Sequence, residues 1–260
     1  LYRMLCWNSS YTLTGLIGSA LNFSLAPYGW YIEMYIGLFL LAPFLNLCYE
    51  NINSHKIKRM FLGILICMTS LPSILNIYEF SALEWWSNPS SSANYVKILP
   101  SWWIGIYPIT YYYIGCYLRE YPLGMKRSTN LFWIVVVWLA GGSFVYYRSH
   151  GVPFINGAWT EYYSFITLVQ SALVFNFLAR GDYKRIGKRT RRILKRLSEW
   201  TLGAYLLSYI FDAQFYTKLC GRVPDAAGQF AYFPMMVAGI YVLSLLASGA
   251  LSGIQFSICC

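Results

Sequence analysis

Residues 30–46 read WYIEMYIGLFLLAPFLN, an apolar run with one carboxylate, Glu33, in its first turns and a proline, Pro43, near its far end. A helix of about 20 mostly apolar residues crosses the hydrocarbon core of a bilayer. A carboxylate in such a segment has to leave water, so it is costly and usually faces a polar cavity or a partner. The other apolar runs of the chain are therefore expected to wall a cavity that Glu33 faces.

Composition agrees with lipid as the solvent. The 260 residues are 57% hydrophobic and only 12% charged, with mean hydropathy +0.44. A soluble domain is about 25% charged. The 24 Tyr and 10 Trp suit membrane interfaces, where the ring is buried and the polar atom stays wet. Eight apolar runs stand out, at 1–22, 30–48, 60–77, 102–118, 131–147, 160–179, 197–216 and 232–254. The fourth is short and contains Pro108, which is expected to break it; the seventh holds Asp212. Only helices and closed barrels satisfy backbone groups in hydrocarbon, and these runs are too long and unalternating for barrel strands. The expected fold is all-α and polytopic: about eight transmembrane helices in one bundle, forming a single domain over 1–260.

The basic residues give an orientation. With the N-terminus inside, sixteen of the twenty Lys and Arg fall on inner segments. They are Arg3; Lys56, Lys58 and Arg59; Arg119, Lys126 and Arg127; and nine between Arg180 and Arg196. Lys97, Arg148, Lys218 and Arg222 fall outside. Inner loops of membrane proteins carry the excess of Lys and Arg, so the bias supports both the orientation and an even number of crossings. The net charge of +10 thus reads as topology and not as a nucleic-acid footprint. None of the seven Cys has a metal-ligand spacing with His; Cys259-Cys260 reads as a helix end, with acylation as the alternative. No metal site is expected, and no charged leader with a cleavage site precedes the first apolar run.

Three stretches, WYIEMYIGLFLLAPFLN, WWIGIYPITYYYIGCYLREY and LSEWTLGAYLLSYIFD, lie in this order and resemble the membrane acyltransferase family 3, in its bacterial inner-membrane branch. The resemblance covers roughly 3–212. It implies transfer of an acyl group, usually acetyl, from acyl-coenzyme A on the cytoplasmic side to a hydroxyl of a cell-envelope glycan. Acyl-coenzyme A is then a co-substrate, and no cofactor is expected to be permanently bound. The partners implied are the lipid bilayer, acyl-coenzyme A and the glycan acceptor; no nucleic acid is implied. The family's catalytic signature is an Arg followed some ten residues later by a His on its first helix. The only two His here, His55 and His150, read as loop residues and match neither position. The chain is therefore expected to begin after that helix and to be inactive alone. Arg3 resembles a remnant of a basic motif that the family places at the inner edge of an early helix.

On this reading Glu33 is the candidate catalytic residue, pairing with or orienting a basic partner; the plain alternative is a structural carboxylate wetted at the outer interface. Gly37, at i+4, shares its face and leaves room beside it, whereas Tyr35 faces another way around the helix. The candidate donor-binding residues are Arg3, Lys56, Lys58, Arg59, Lys126 and Arg127. Arg and Lys are the usual partners of phosphate, and anchoring to anionic lipid is the competing role, also for the run KRIGKRTRRILKR at 184–196. Candidate acceptor-side residues are Tyr35, Tyr113, Tyr205 and Asp212. Tyr205, Ser208 and Asp212 form a polar stripe on an apolar helix, whose end is expected near Asp212. Tyr107 and Tyr111, and Tyr113 and Tyr117, are i,i+4 pairs that suit sugar stacking or plain helix packing. The outer segment 78–101, bracketed by Trp85-Trp86 and Trp102-Trp103, reads as a lid or as an interfacial anchor. Two other classes compete with transfer: a permease-like module for a small amino acid or glycan unit, and an envelope scaffold without chemistry.

Overall fold

In the computed structural model the described residues are 13–21, 29–78, 96–149, 157–181, 186–223 and 226–258. They form helices α1 (Leu13–Leu21), α2 (Gly29–Glu50), α3 (His55–Thr69), a single turn α4 (Pro72–Leu75), α5 (Tyr107–Glu120), α6 (Arg127–Arg148), α7 (Phe165–Ala179), α8 (Lys188–Arg222) and α9 (Ala226–Ile258). No strand occurs among the described residues, so the all-α class holds. Among the described residues three helical stretches are long and apolar enough to cross a membrane, Gly29–Glu50, Arg127–Arg148 and Ala231–Ser252, where about eight were expected; Phe165–Ala179 is apolar but shorter. Arg3, His150, Trp85, Trp86, Cys259 and Cys260 lie outside the described residues.

The chain divides into two compact units, 1–37 with 183–260, and 38–182; α2 contributes to both. In the second unit the core is Tyr49, Leu62, Leu65 and Tyr113, from α2, α3 and α5. Tyr113 stacks on Tyr49 with ring centres 5.9 Å apart and meets Phe61 edge-on at 5.1 Å. Such aromatic pairs add stability beyond the area they bury. Two buried polar pairings tie these helices together, as burial favours. Thr69 and Thr110 share a hydrogen bond of 3.0 Å between α3 and α5, and Ser73 Oγ accepts from Phe165 N at 2.9 Å. Ser164 caps α7 by accepting from Thr167 N, the ordinary role of Ser at a helix start.

The contacts order the helix ends of this unit. At one end Lys58 (α3 start) meets Glu120 (α5 end), and Leu123, after α5, meets Asn176 and Arg180 at the end of α7. At the other end Ser73 meets the start of α7, Tyr107 meets Tyr163, and Arg148 (α6 end) lies over Trp159. Consecutive helices therefore run in alternating directions. Lys56, Lys58, Arg59, Arg119, Lys126, Arg127 and Arg180 all gather at the first end, as the charge bias requires of an inner face.

In the first unit α8 packs on α9 through small residues. A Cβ added at Gly203 lies 2.3 Å from Ser248 Oγ and 3.2 Å from its Cβ, while Ser248 Oγ donates to Trp200 O at 2.9 Å. Ala204, Ser244 and Leu245 are buried beside this seam. Small residues at such positions let helix backbones approach closely. Gly203→Val is therefore expected to destabilise. Removing a helical glycine gains about 1 kcal/mol of propensity at most, whereas overpacking costs about 1–3 kcal/mol and displaces the Ser248 bond. A lowered melting temperature of the purified chain, partly restored by adding Ser248→Ala, checks this.

Three expectations are corrected. Pro108 does not break the fourth run. It sits in the first turn of α5, where its missing N–H has no helical partner to lose, and a 3-10 turn at Ile104–Ile106 precedes it. His55 is not in a loop but opens α3. Asp212 does not mark a helix end: α8 runs on to Arg222. Upstream, α8 also takes in the basic run from Lys188, because Lys and Arg are good helix formers. Its 35 residues extend about 52 Å, more than the roughly 30 Å of hydrocarbon, so the basic start projects beyond it.

Candidate functional site

The basic end of the second unit carries two arrangements of polar side chains. The first is built on Lys58, one turn into α3. Its ammonium is 7% exposed and lies 2.7 Å from Glu120 Oε2, with the ring of Tyr49 4.2 Å beneath it. A buried cation is tolerated when it is paired, and an aromatic face adds to the attraction. This ties Lys58 to Glu120 and Tyr49, so its ammonium is already paired where a phosphate partner was expected. Lys56 and Arg59, on the same turn, are exposed. His55 Nε2 is 2.7 Å from the Tyr117 hydroxyl, and its ring lies against Tyr121, centres 4.4 Å apart.

The hydrogen bond from Lys58 holds the Glu120 carboxyl below the usual carboxylate range. A depressed carboxyl contributes stability above its ordinary pKa and loses it as pH falls through the depressed value. The native chain is therefore expected to lose melting temperature on acidification from about pH 5 to pH 3, and Lys58→Met is expected to flatten that acid limb. Melting curves across the range check it; an identical limb in both proteins contradicts the pairing.

The second arrangement is a cavity of about 90 Å³ between the start of α6 and the end of α7, lined by Met125, Arg127, Asn130, Asn176, Phe177 and Arg180. Arg180 Nη1 donates to the carbonyls of Leu123 and Met125, fixing the 121–126 connection. Asn176 Oδ1 accepts from Leu123 N at 3.0 Å. The Arg127 guanidinium lies 4.4 Å over the Phe177 ring. Of the expected donor-binding set, Arg127 lines this cavity and Lys126 precedes it, exposed, at the start of α6. Asn130, Asn176 and Arg180 were missed. A signal existed for Asn176, an amide inside the apolar run SALVFNFLAR, because polar groups at such a depth are seldom idle.

In the first unit, Glu33 is exposed on the second turn of α2, and no hydrogen bond or ion pair engages its carboxylate among the described residues. Gly37, one turn on, leaves space beside it, with nothing within 4 Å of an added Cβ. Tyr31, two residues before, stacks on Tyr35 and tilts against Tyr205 of α8, ring centres 5.1 Å apart. Ser208 Oγ turns back to Tyr205 O at 2.8 Å. This places Glu33, Tyr35, Tyr205 and, two turns on, Asp212 in one unit, on two helices joined by Tyr31. Tyr113 is separate from them. It is 3% exposed in the core of the other unit and donates to Leu45 O, where it acts in packing and not beside the other three. Tyr111 likewise donates inward, to Tyr162 O at 2.7 Å.

No group of His, Cys, Asp and Glu among the described residues is arranged to hold a metal ion. A family model described as an acyltransferase domain matches residues 3–248. No curated protein and no solved structure matches the chain.

Proposed function

The chain belongs to acyltransferase family 3, and on that premise we propose that it is a membrane-bound O-acyltransferase of the bacterial inner membrane. It takes an acyl group, acetyl in the simplest case, from acyl-coenzyme A on the cytoplasmic side and delivers it to a hydroxyl of an envelope glycan. The observation that carries this reading is the family match over nearly the whole chain. Eight crossings accommodate the alternating charges, with the basic end of the second unit inside.

In the transfer, the acceptor oxygen attacks the thioester carbonyl carbon. The C–S bond breaks, and the hydroxyl proton passes by way of a base to the leaving thiolate, so the coenzyme departs as the thiol. Glu33 is assigned to the acceptor side, where a carboxylate stabilises the charged form of a basic partner or holds the hydroxyl. Tyr35, Tyr205 and Asp212 supply aromatic and polar surface for a sugar, and Lys56, Arg59, Lys126 and Arg127 supply positive charge for the coenzyme phosphates. Incubating membranes that contain the full gene product with labelled acetyl-coenzyme A tests the reading. Label appearing as a base-labile ester on envelope glycan is expected; label that stays with the coenzyme contradicts it.

A further inference from the structure

The cavity between α6 and α7 has a chemistry of its own. It holds two guanidinium groups in its wall and, among the described residues, no carboxylate. Arg180 commits Nη1 to two carbonyls and leaves Nε and Nη2 uncommitted among the described residues. Arg127 is held at the wall by its stack on Phe177. Asn130 and Asn176 are 2% and 1% exposed, yet among the described residues Asn130 Oδ1 and Asn176 Nδ2 have no hydrogen-bond partner. A buried polar atom left unpaired is costly, and here two such amides border one cavity. The cavity is also where α6 begins, and Lys126 gives that start no side-chain cap. The free N–H groups and dipole of a helix start attract negative charge. The volume of about 90 Å³ leaves room for one tetrahedral oxyanion.

We propose that this pocket binds a phosphate group, held by Arg127 and Arg180 and hydrogen-bonded by the Asn130 and Asn176 amides, each of which presents N–H when turned toward it. Two sources carry that chemistry to a basic membrane face: the headgroup of an anionic phospholipid, and a phosphorylated nucleotide such as the acyl donor. The proposal stands on the pocket and not on the transfer reaction, and its readout is binding.

The full chain is purified in detergent, and its melting temperature is measured with inorganic phosphate, with chloride at equal ionic strength, and with adenosine 3′,5′-bisphosphate. It is measured again in discs of phosphatidylglycerol and of phosphatidylcholine. Phosphate at tenfold its dissociation constant is expected to raise the melting temperature by about 3 °C over chloride. Arg127→Gln and Asn130→Leu are expected to weaken phosphate at least tenfold. Asn130→Leu keeps the volume and removes an unpaired buried group, so it is expected to fold at least as well as the native chain; a purely structural Asn130 predicts loss of stability with the phosphate shift intact. Stabilisation by the bisphosphate assigns the site to a nucleotide, and stabilisation confined to phosphatidylglycerol discs assigns it to a headgroup; both retain the phosphate site. No phosphate-specific shift in any arm, or equal shifts in native and variant chains, overturns it.

Discussion

Glu33→Gln is expected to lower acyl transfer by on the order of 10²–10⁴-fold, the range of a proton-transfer or charge-stabilising group, while leaving the fold intact. The two halves of that expectation have different origins. Glu33 is exposed on α2 and engages no partner among the described residues, and surface substitutions of this kind usually change stability by less than about 0.5 kcal/mol. Its neighbours Tyr31 and Tyr35 stack on each other, and Tyr31 tilts against Tyr205, without it. Unchanged melting with activity lost places the carboxylate in the chemistry. Unchanged melting with activity retained makes it an interfacial acid and leaves the scaffold or permease reading of the chain in front.

Arg148→Ala is expected to have the largest effect on stability, about 2–5 kcal/mol, the cost of emptying a large buried site. Arg148 is 1% exposed at the end of α6, with its guanidinium 4.7 Å over the ring of Trp159, itself 5% exposed. That ring lies so close to Gly157 that an added Cβ there falls 2.5 Å from it. The stack thus pins the α6–α7 connection to the end of α6. Trp159→Ala is expected to remove much of the same stability, so the double variant loses less than the sum. Tyr146→Ala, at a position 82% exposed, serves as the control. Denaturation of the detergent-solubilised proteins checks the set; a loss under about 1 kcal/mol for Arg148→Ala contradicts the assignment, given the cost of disturbing a buried charge.

Arg148 also shows where a sequence falls short. Its place among the outer charges was right in direction, since it lies at the end opposite the basic cluster. But charge counting treats every Lys and Arg as solvated, and nothing in VYYRSH marks one as enclosed. Hydrophobic run length located the helices because lipid and core impose the same apolar requirement on each. It misplaced their ends in the basic run before α8, where Lys and Arg continue a helix without being apolar. The alternation of helix ends was legible because it follows from the Lys and Arg bias alone.

The sites were less legible. Tyr113 and Tyr117 share an i,i+4 stripe, yet one is core and the other meets His55. The stripe gives the face but not what covers it. The cavity of Asn130, Asn176 and Arg180 brings together residues about fifty positions apart in the chain, a closeness that only the pairing of α6 with α7 creates. Glu33 stood out in the sequence because an acid in an apolar run is costly, but the run does not say whether it meets water or a partner.

The central claim is that this chain carries an acyl group from a thioester on its basic side to an alcohol on the other. Sealed vesicles of known orientation, holding the full gene product and envelope glycan, measure it most directly when labelled acetyl-coenzyme A is added outside. With the basic loops facing outward, label is predicted to appear as a glycan ester inside the vesicle, and with the opposite orientation none is predicted. Equal labelling in both orientations, or uptake of the acceptor without any need for the coenzyme, contradicts the claim.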